Sequence, residues 1–306
     1  MYPLRLKNLY LPPKSSHKGQ NGKLLIIGGS HLFHAASLWA LEVASRIVDL
    51  VHYSSIEENN KIVQKLKEEF RNGMIVPRSE IESYIEEDDC VLIGPGMVRA
   101  EGAISNIKYQ ISNMRGIEKI ENEGEQTYFL TKYLLQKYPK KRWVIDAGAL
   151  QMLELEWIPS NAILTPHHRE FEGLLAKIPN PKSQIPNKVQ NPNNQNSKLK
   201  EQIKEFSKNY RCIVLLKGQT DYVAYGDRFE EVKGGNAGMT KGGTGDVLAG
   251  LVAALYCKNE AFLSATTASK INKKAGEDLY KKMGYWFNAS DLAGQIPQTM
   301  KNLLLQ

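Results

Sequence analysis

A three-layer α/β/α fold on a mostly parallel sheet is what the sequence predicts. Three observations carry this reading. Short runs rich in Val, Ile and Leu recur along the chain and end in glycine or proline. They do not alternate apolar with polar residues, which is the pattern of strands buried on both faces. Amphipathic helical stretches lie between them, so helices are expected to cover both faces of the sheet.

In order, LLIIGGS (24–30) reads as the first strand, and a helix over Ala35–Val48 follows with Leu38, Leu41, Val43 and Ile47 on one face. LVHYSSI (50–56), GMIVP (73–77) and CVLIGPG (90–96) read as the next strands. Gln126–Tyr138 carries Phe129, Leu130, Tyr133 and Leu134 at helical spacing. RWVIDAG (142–148), AILTPH (162–167) and CIVLLKG (212–218) continue the strand series. Tyr222–Tyr225 and Phe229–Val232 flank a Gly226-Asp227 turn, a hairpin that either closes over a ligand or extends the sheet edge. Ala261 to Leu305 reads as helical with few breaks.

Two polar stretches interrupt the series. Residues 179–197, PNPKSQIPNKVQNPNNQNS, are too poor in apolar side chains to join a core and read as a mobile surface loop. Glu118–Glu125 reads as a shorter insert. Strand-like runs continue after both, so residues 1–306 are expected to form one domain.

The bulk numbers agree. Hydrophobic residues make up 42% and charged residues 24% of 306, ordinary for a globular protein with a sizeable core. No apolar run is long enough for a bilayer, and no signal peptide is apparent in MYPLRLKNLYLPPKSS. Cys90, Cys212 and Cys257 match no metal spacing and point to a reducing cytoplasm. The net charge of +7 is spread along the chain rather than gathered in a basic arm, so neither a nucleic acid nor a membrane is expected as a partner.

A parallel sheet places its ligands outside the carboxyl ends of its strands. The richest such segment is NAGMTKGGTGDVLAG, Asn236 to Gly250. Val247, Leu248, Leu251, Val252 and Leu255 follow at helical spacing, so Gly242, Gly243 and Gly245 precede or open a helix. Glycine backbone and a helix start together form a phosphate or oxyanion site. Asp246 is then either an N-cap or a base that takes a proton from a hydroxyl beside a held phosphoryl group. The segment is neither a Walker A loop nor a dinucleotide fingerprint.

NAGMTKGGTGDVLAG resembles the signature of the NAD(P)H-hydrate dehydratases, of the ribokinase-like superfamily. NGKLLIIGGS, VLIGPGM, VIDAGAL, ILTPHHREFEGLL and VLLKGQTDYVAY agree in the same order, over about residues 15 to 300. The resemblance implies a ribokinase-like fold and repair of the hydrated nicotinamide cofactors NADHX and NADPHX. ADP or ATP, with Mg²⁺ on its phosphates, phosphorylates the ring hydroxyl; phosphate then leaves and the ring double bond returns. Asp246 is the implied catalytic base and a contact to the hydrated cofactor, as are Ala36, Gly96 and His167. The implied nucleotide contacts are Lys217, Gly218, Gln219, Thr220 and Asp221 after one strand, and Gly242, Gly243, Thr244 and Gly245 in the glycine turn. No protein metal ligands are implied. A homo-oligomer is expected, a tetramer among its candidate states.

Plainer roles compete at several positions. His167 could simply bond backbone at the start of its helix, Glu170 could order the turn, and Lys217–Asp221 could be a tight turn into the hairpin. The chain also departs from the family. DADAL is replaced by Asp146-Ala147-Gly148-Ala149-Leu150, GNPGM by a version with Ala237, and Pro-Gly by His168-Arg169. Lys241 either reaches phosphate or faces solvent. The first family-like motif starts near Asn21, so the epimerase domain that many relatives carry ahead of it is not expected here. The alternatives to a dehydratase are a vitamin-precursor kinase of the same superfamily and a non-catalytic nucleotide binder.

Overall fold

The computed structural model describes residues 8–100, 113–179 and 192–305, apart from the side chains of 192–195. Its strands are β1 (Lys23–Ile27), β2 (Leu50–Ser54), β3 (Met74–Ile75), β4 (Cys90–Ile93), β5 (Arg142–Ile145), β6 (Ile163–Leu164), β7 (Ile213–Leu216), β8 (Asp221–Tyr225) and β9 (Arg228–Val232). They form one sheet in the order β3-β2-β1-β4-β5-β6-β7-β8-β9. Pairing is parallel from β3 through β7 and antiparallel for β7–β8 and β8–β9. The hairpin therefore extends the sheet edge.

The helices are α1 (His34–Ala44), α2 (Glu57–Leu66), α3 (Ile81–Glu87), α4 (Met114–Glu118), α5 (Glu123–Lys137), α6 (Ala147–Met152), α7 (His168–Ala176), α8 (Pro192–Tyr210), α9 (Thr244–Tyr256), α10 (Ala261–Met283) and α11 (Ala289–Leu304). Two separate apolar cores explain why the strands do not alternate in polarity. Leu24, Ile26, Leu92, Val144 and Leu215 pack under α1, α9, α10 and α11. Leu25, Ile27, Val91, Trp143 and Val214 face the other way, toward Leu134, Phe171 and Phe206 of α5, α7 and α8. Successive side chains of one strand point to opposite faces, so a strand buried on both must be apolar throughout. The three-layer α/β/α class with a mostly parallel sheet is the one observed.

Several boundaries differ from the sequence expectation. α1 stops at Ala44, where Ser45–Val48 tighten into a turn. The polar stretch 118–125 joins the end of α4 to the start of α5, where Asn122 caps the helix by accepting from the Glu125 N–H at 3.0 Å. Polar residues at a helix start satisfy free N–H groups, so they look like a loop in sequence. In the 179–197 stretch, residues from Pro192 onward already belong to α8; proline suits a first helical turn. Residues 180–191 lie outside the described residues. The C-terminal helical segment breaks once, at Gly284 with φ +64. All three cysteines are buried free thiols.

Candidate active site

The carboxyl ends of β5, β6 and β7 bring three polar residues together. Asp146 follows β5 and is buried. It accepts from the Thr165 hydroxyl at 2.7 Å and pairs with Lys217 Nζ at 2.8 Å. Lys217 follows β7, and its backbone N–H donates to the Pro166 carbonyl at 2.8 Å, so the β6 and β7 ends are joined. The ammonium reaches on to the glycine turn: a Cβ placed on Gly245 would lie 3.5 Å from Lys217 Nζ.

That turn is built as the sequence suggests, with one clarification. Gly243, not Asp246, is the N-cap of α9, and its φ is +94. A Cβ there would sit 2.2 Å from the Trp39 ring and 2.7 Å from Ala289, so packing and backbone both require glycine. Gly242 faces open space. Thr244 turns inward, its hydroxyl donating to the Met239 and Lys241 carbonyls, which leaves it little to offer a nucleotide. Among the described residues, the Gly245 N–H has no acceptor, as expected in a first helical turn.

Asp246 is the third residue of α9 and is not its cap. Burial, and then the negative charge of Asp146, push its carboxyl up to about 7, against the pull of Lys217. Burial alone would lower Lys217, but Asp146, Glu170 and Asp246 outweigh it and hold the ammonium charged. The result is a carboxylate poised near neutral pH beside a fixed cation and a helix N-terminus.

A cavity of about 600 Å³ opens beside this cluster. Lys217, Gly218, Gln219, Asp221, Thr244 and Gly245 line it; Thr220, Gly242 and Gly243 do not. Asp221 works as the keystone of its loop. It accepts from the Gly218 N–H at 2.9 Å and the Ser269 hydroxyl at 2.7 Å, and meets Lys273 at 3.2 Å. Lys273 also donates to the Gly218 and Gln219 carbonyls, both at 3.0 Å. Its role was not legible in sequence, because α10 carries no motif there. Ala237 and Met239 give the cavity an apolar wall.

On the other side of Asp146, Ala36 and Gly96 lie together: a Cβ on Gly96 would be 3.0 Å from that of Ala36 and 3.2 Å from the Gly29 Cα. Gly94 packs directly on the Asp146 carbonyl. His167 caps α7, its Nδ1 accepting from the Glu170 N–H at 3.2 Å while Glu170 accepts from the His167 N–H at 2.9 Å. Both plainer roles are thus realised; the imidazole is half-exposed, and the His167 backbone bridges to that of Lys217.

The departures acquire physical reasons. A Cβ on Gly148 would meet the Met97 carbonyl at 2.1 Å, so this loop has no space for a second acid. Lys241 is exposed, donates to the Tyr285 carbonyl and lies over the Phe287 ring. His168 packs against Gly218 and so borders the 217–221 loop. Among the described residues there is no cluster of three or more acidic, His or Cys side chains suited to a metal, and no helix is long and apolar enough to cross a membrane.

Comparisons with known proteins give a consistent picture. A family model described as NAD(P)H-hydrate dehydratase matches residues 24–298. The chain is 34% identical over 306 residues to a bifunctional NAD(P)H-hydrate repair enzyme of Methanocaldococcus jannaschii, covering 97% of this chain and 51% of that protein. It is 31% identical to an ADP-dependent (S)-NAD(P)H-hydrate dehydratase of Nitrosopumilus maritimus, covering 95% and 93%. The chain spans about half the length of several of the curated relatives it matches. In fold it is similar to the ADP/ATP-dependent NAD(P)H-hydrate dehydratase of Bacillus subtilis co-crystallised with ATP and Mg²⁺, at TM-score 0.71, 20% identity, and 97% and 95% coverage.

Proposed function

Because the chain belongs to the NAD(P)H-hydrate dehydratase family, we propose that it restores NADHX and NADPHX to NADH and NADPH at the expense of ADP or ATP. The observation that carries this reading is the placement of Asp246. A carboxylate poised near pH 7 stands at a helix N-terminus, beside a buried ammonium and a cavity of about 600 Å³.

The nucleotide enters that cavity, its phosphates toward Lys217 and the Gly245 N–H. The hydrated nicotinamide ring lies over Ala36, Gly96 and His167. Asp246 takes the proton from the ring hydroxyl as its oxygen attacks the terminal phosphorus. Lys217 and the first turn of α9 balance the charge gathering on the phosphoryl oxygens. Asp146 fixes the Lys217 ammonium and raises the basicity of Asp246. The nucleotide leaves as AMP or ADP, phosphorylation having turned a poor leaving group, hydroxide, into a good one; loss of phosphate together with a proton from the adjacent ring carbon restores the ring double bond.

Mg²⁺ carried on the nucleotide would neutralise its phosphates. The chain works as one dehydratase domain, in the cytoplasm, as a homo-oligomer. The test mixes purified protein with NADHX or NADPHX, Mg²⁺, and ADP or ATP, and follows dihydronicotinamide absorbance. Nucleotide-dependent recovery of absorbance is expected. No recovery with either nucleotide, together with phosphorylation of a vitamin-precursor alcohol, would overturn the reading.

A further inference from the structure

A second cavity, of about 590 Å³, opens at the same edge of the sheet, above β1, β2 and β3. His31 after β1, Ser55 after β2 and Arg78 after β3 line it, with residues 118–126 closing the far wall. Its β1 wall is joined by backbone to the Ala36–Gly96 pair. The Gly29 N–H donates to the Pro95 carbonyl at 2.7 Å, Gly29 touches Gly96, and the chain runs from Gly29 straight to His31. Four strand intervals separate β5 from β3, about 19 Å at ~4.8 Å each, the scale of an extended dinucleotide.

Arg78 is the observation that calls for a ligand. It is 9% exposed. One terminal nitrogen donates to Gln126 Oε1 at 2.9 Å, but Nε and Nη2 are buried and have no hydrogen-bond partner among the described residues. Buried guanidinium donors left unpaired are costly, so an acceptor from outside the chain, met by a turn of the Arg78 side chain into the cavity, is their natural complement. An arginine alone would suit a phosphate. The rest of the wall says otherwise: Glu57, Glu58, Glu118, Glu121 and Glu123 line the same cavity. Glu57 is tied to Lys61 and Glu123 accepts from the His31 N–H. Even discounting those two, Glu58, Glu118 and Glu121 outnumber Arg78, and none of the three is ion-paired among the described residues.

We propose that this cavity holds the adenosine half of the hydrated dinucleotide, that Arg78 donates to its neutral ring or sugar acceptors, and that the glutamates select a free ribose 2′-hydroxyl over a 2′-phosphate. A carboxylate accepts from a hydroxyl but repels a phosphate dianion. The chain is thereby a repair enzyme for NADHX in preference to NADPHX. This rests on the activity proposed above.

Binding and turnover separate the two claims. NADH and NADPH are titrated against the full chain by dihydronicotinamide fluorescence, and NADHX and NADPHX are assayed in parallel. NADH is expected to bind about tenfold or more tightly than NADPH, and the Glu118→Gln/Glu121→Gln double variant to shrink that ratio to about threefold or less. Equal affinities, no binding of either, or a ratio unmoved in the double variant overturns the proposal. Selective binding without turnover of either hydrate supports this site and overturns the dehydratase activity instead.

Discussion

Asp246→Asn is expected to have two opposite effects: it removes turnover and it raises stability at neutral and alkaline pH. The wild-type carboxyl sits at about 7, pushed there by burial and then by Asp146. A base must be unprotonated, so about one molecule in eleven is competent at pH 6 and about ten in eleven at pH 8. Wild-type kcat/KM should therefore rise about tenfold across that interval. General-base catalysis contributes roughly 10²–10⁴-fold, and the variant should lose activity by about that factor along with the acid limb. The stability effect follows from the same group. Its ordinary value is 3.8, and the native value is raised. Between the two, the folded chain holds a proton that the unfolded chain has released, so wild-type stability falls as pH rises from about 4 to about 7. Asparagine carries no such charge. The Tm difference, variant minus wild type, should grow through that window and then level off. Initial rates at pH 6, 7 and 8 and thermal melts at pH 5 and 8 check both parts. A flat wild-type profile, wild-type turnover in the variant, or a variant that melts below wild type at pH 8 would refute the assignment.

Three further outcomes follow from the geometry around Asp246. Lys273→Met leaves Asp221 buried without its cation, which costs about 3–5 kcal/mol, and should raise the KM for nucleotide more than that for the hydrated cofactor; equal effects on both KM values would contradict its role in the 217–221 loop. Gly243→Ala forces a side chain into a left-handed backbone and the Trp39 ring, so it should lose at least ~1–3 kcal/mol in denaturant titration, whereas Gly242→Ala should stay within about 0.5 kcal/mol. Gly148→Asp, which restores the acid of the DADAL pattern, should lower Tm rather than improve activity, because its Cβ has no space beside Met97.

The strands were legible because burial on both faces forces unbroken apolar runs, which stand out in a chain of ordinary composition. Their lengths were not: β3 and β6 pair over two residues each, since the apolar pattern does not reveal where hydrogen bonding stops. Asp246 and the glycine turn were legible because neighbours in sequence build them. The grip of Lys217 on Asp146 was not, since it joins residues 71 apart. Asp146 was visible only as a polar residue at a strand end. Lys273 lay further out of reach, as a lysine in a long helix carries no mark of where it points. Arg78 had no motif either, and its meaning depends on which atoms find no partner.

Trp39 has a consequence beyond filling space. It rests on Gly243 and donates its indole N–H to the Ser290 hydroxyl at 3.0 Å, a contact between residues 251 apart. The phosphate turn is thus clamped between α1 and α11, which are made at very different times during synthesis. Residues 236–250 can be translated, and even coil into helix, long before α11 emerges to close the clamp. The turn should therefore be seated only once α11 is in place. A cut in the 284–288 connector, far from Asp246 in sequence, should unseat the turn and abolish the turnover proposed above.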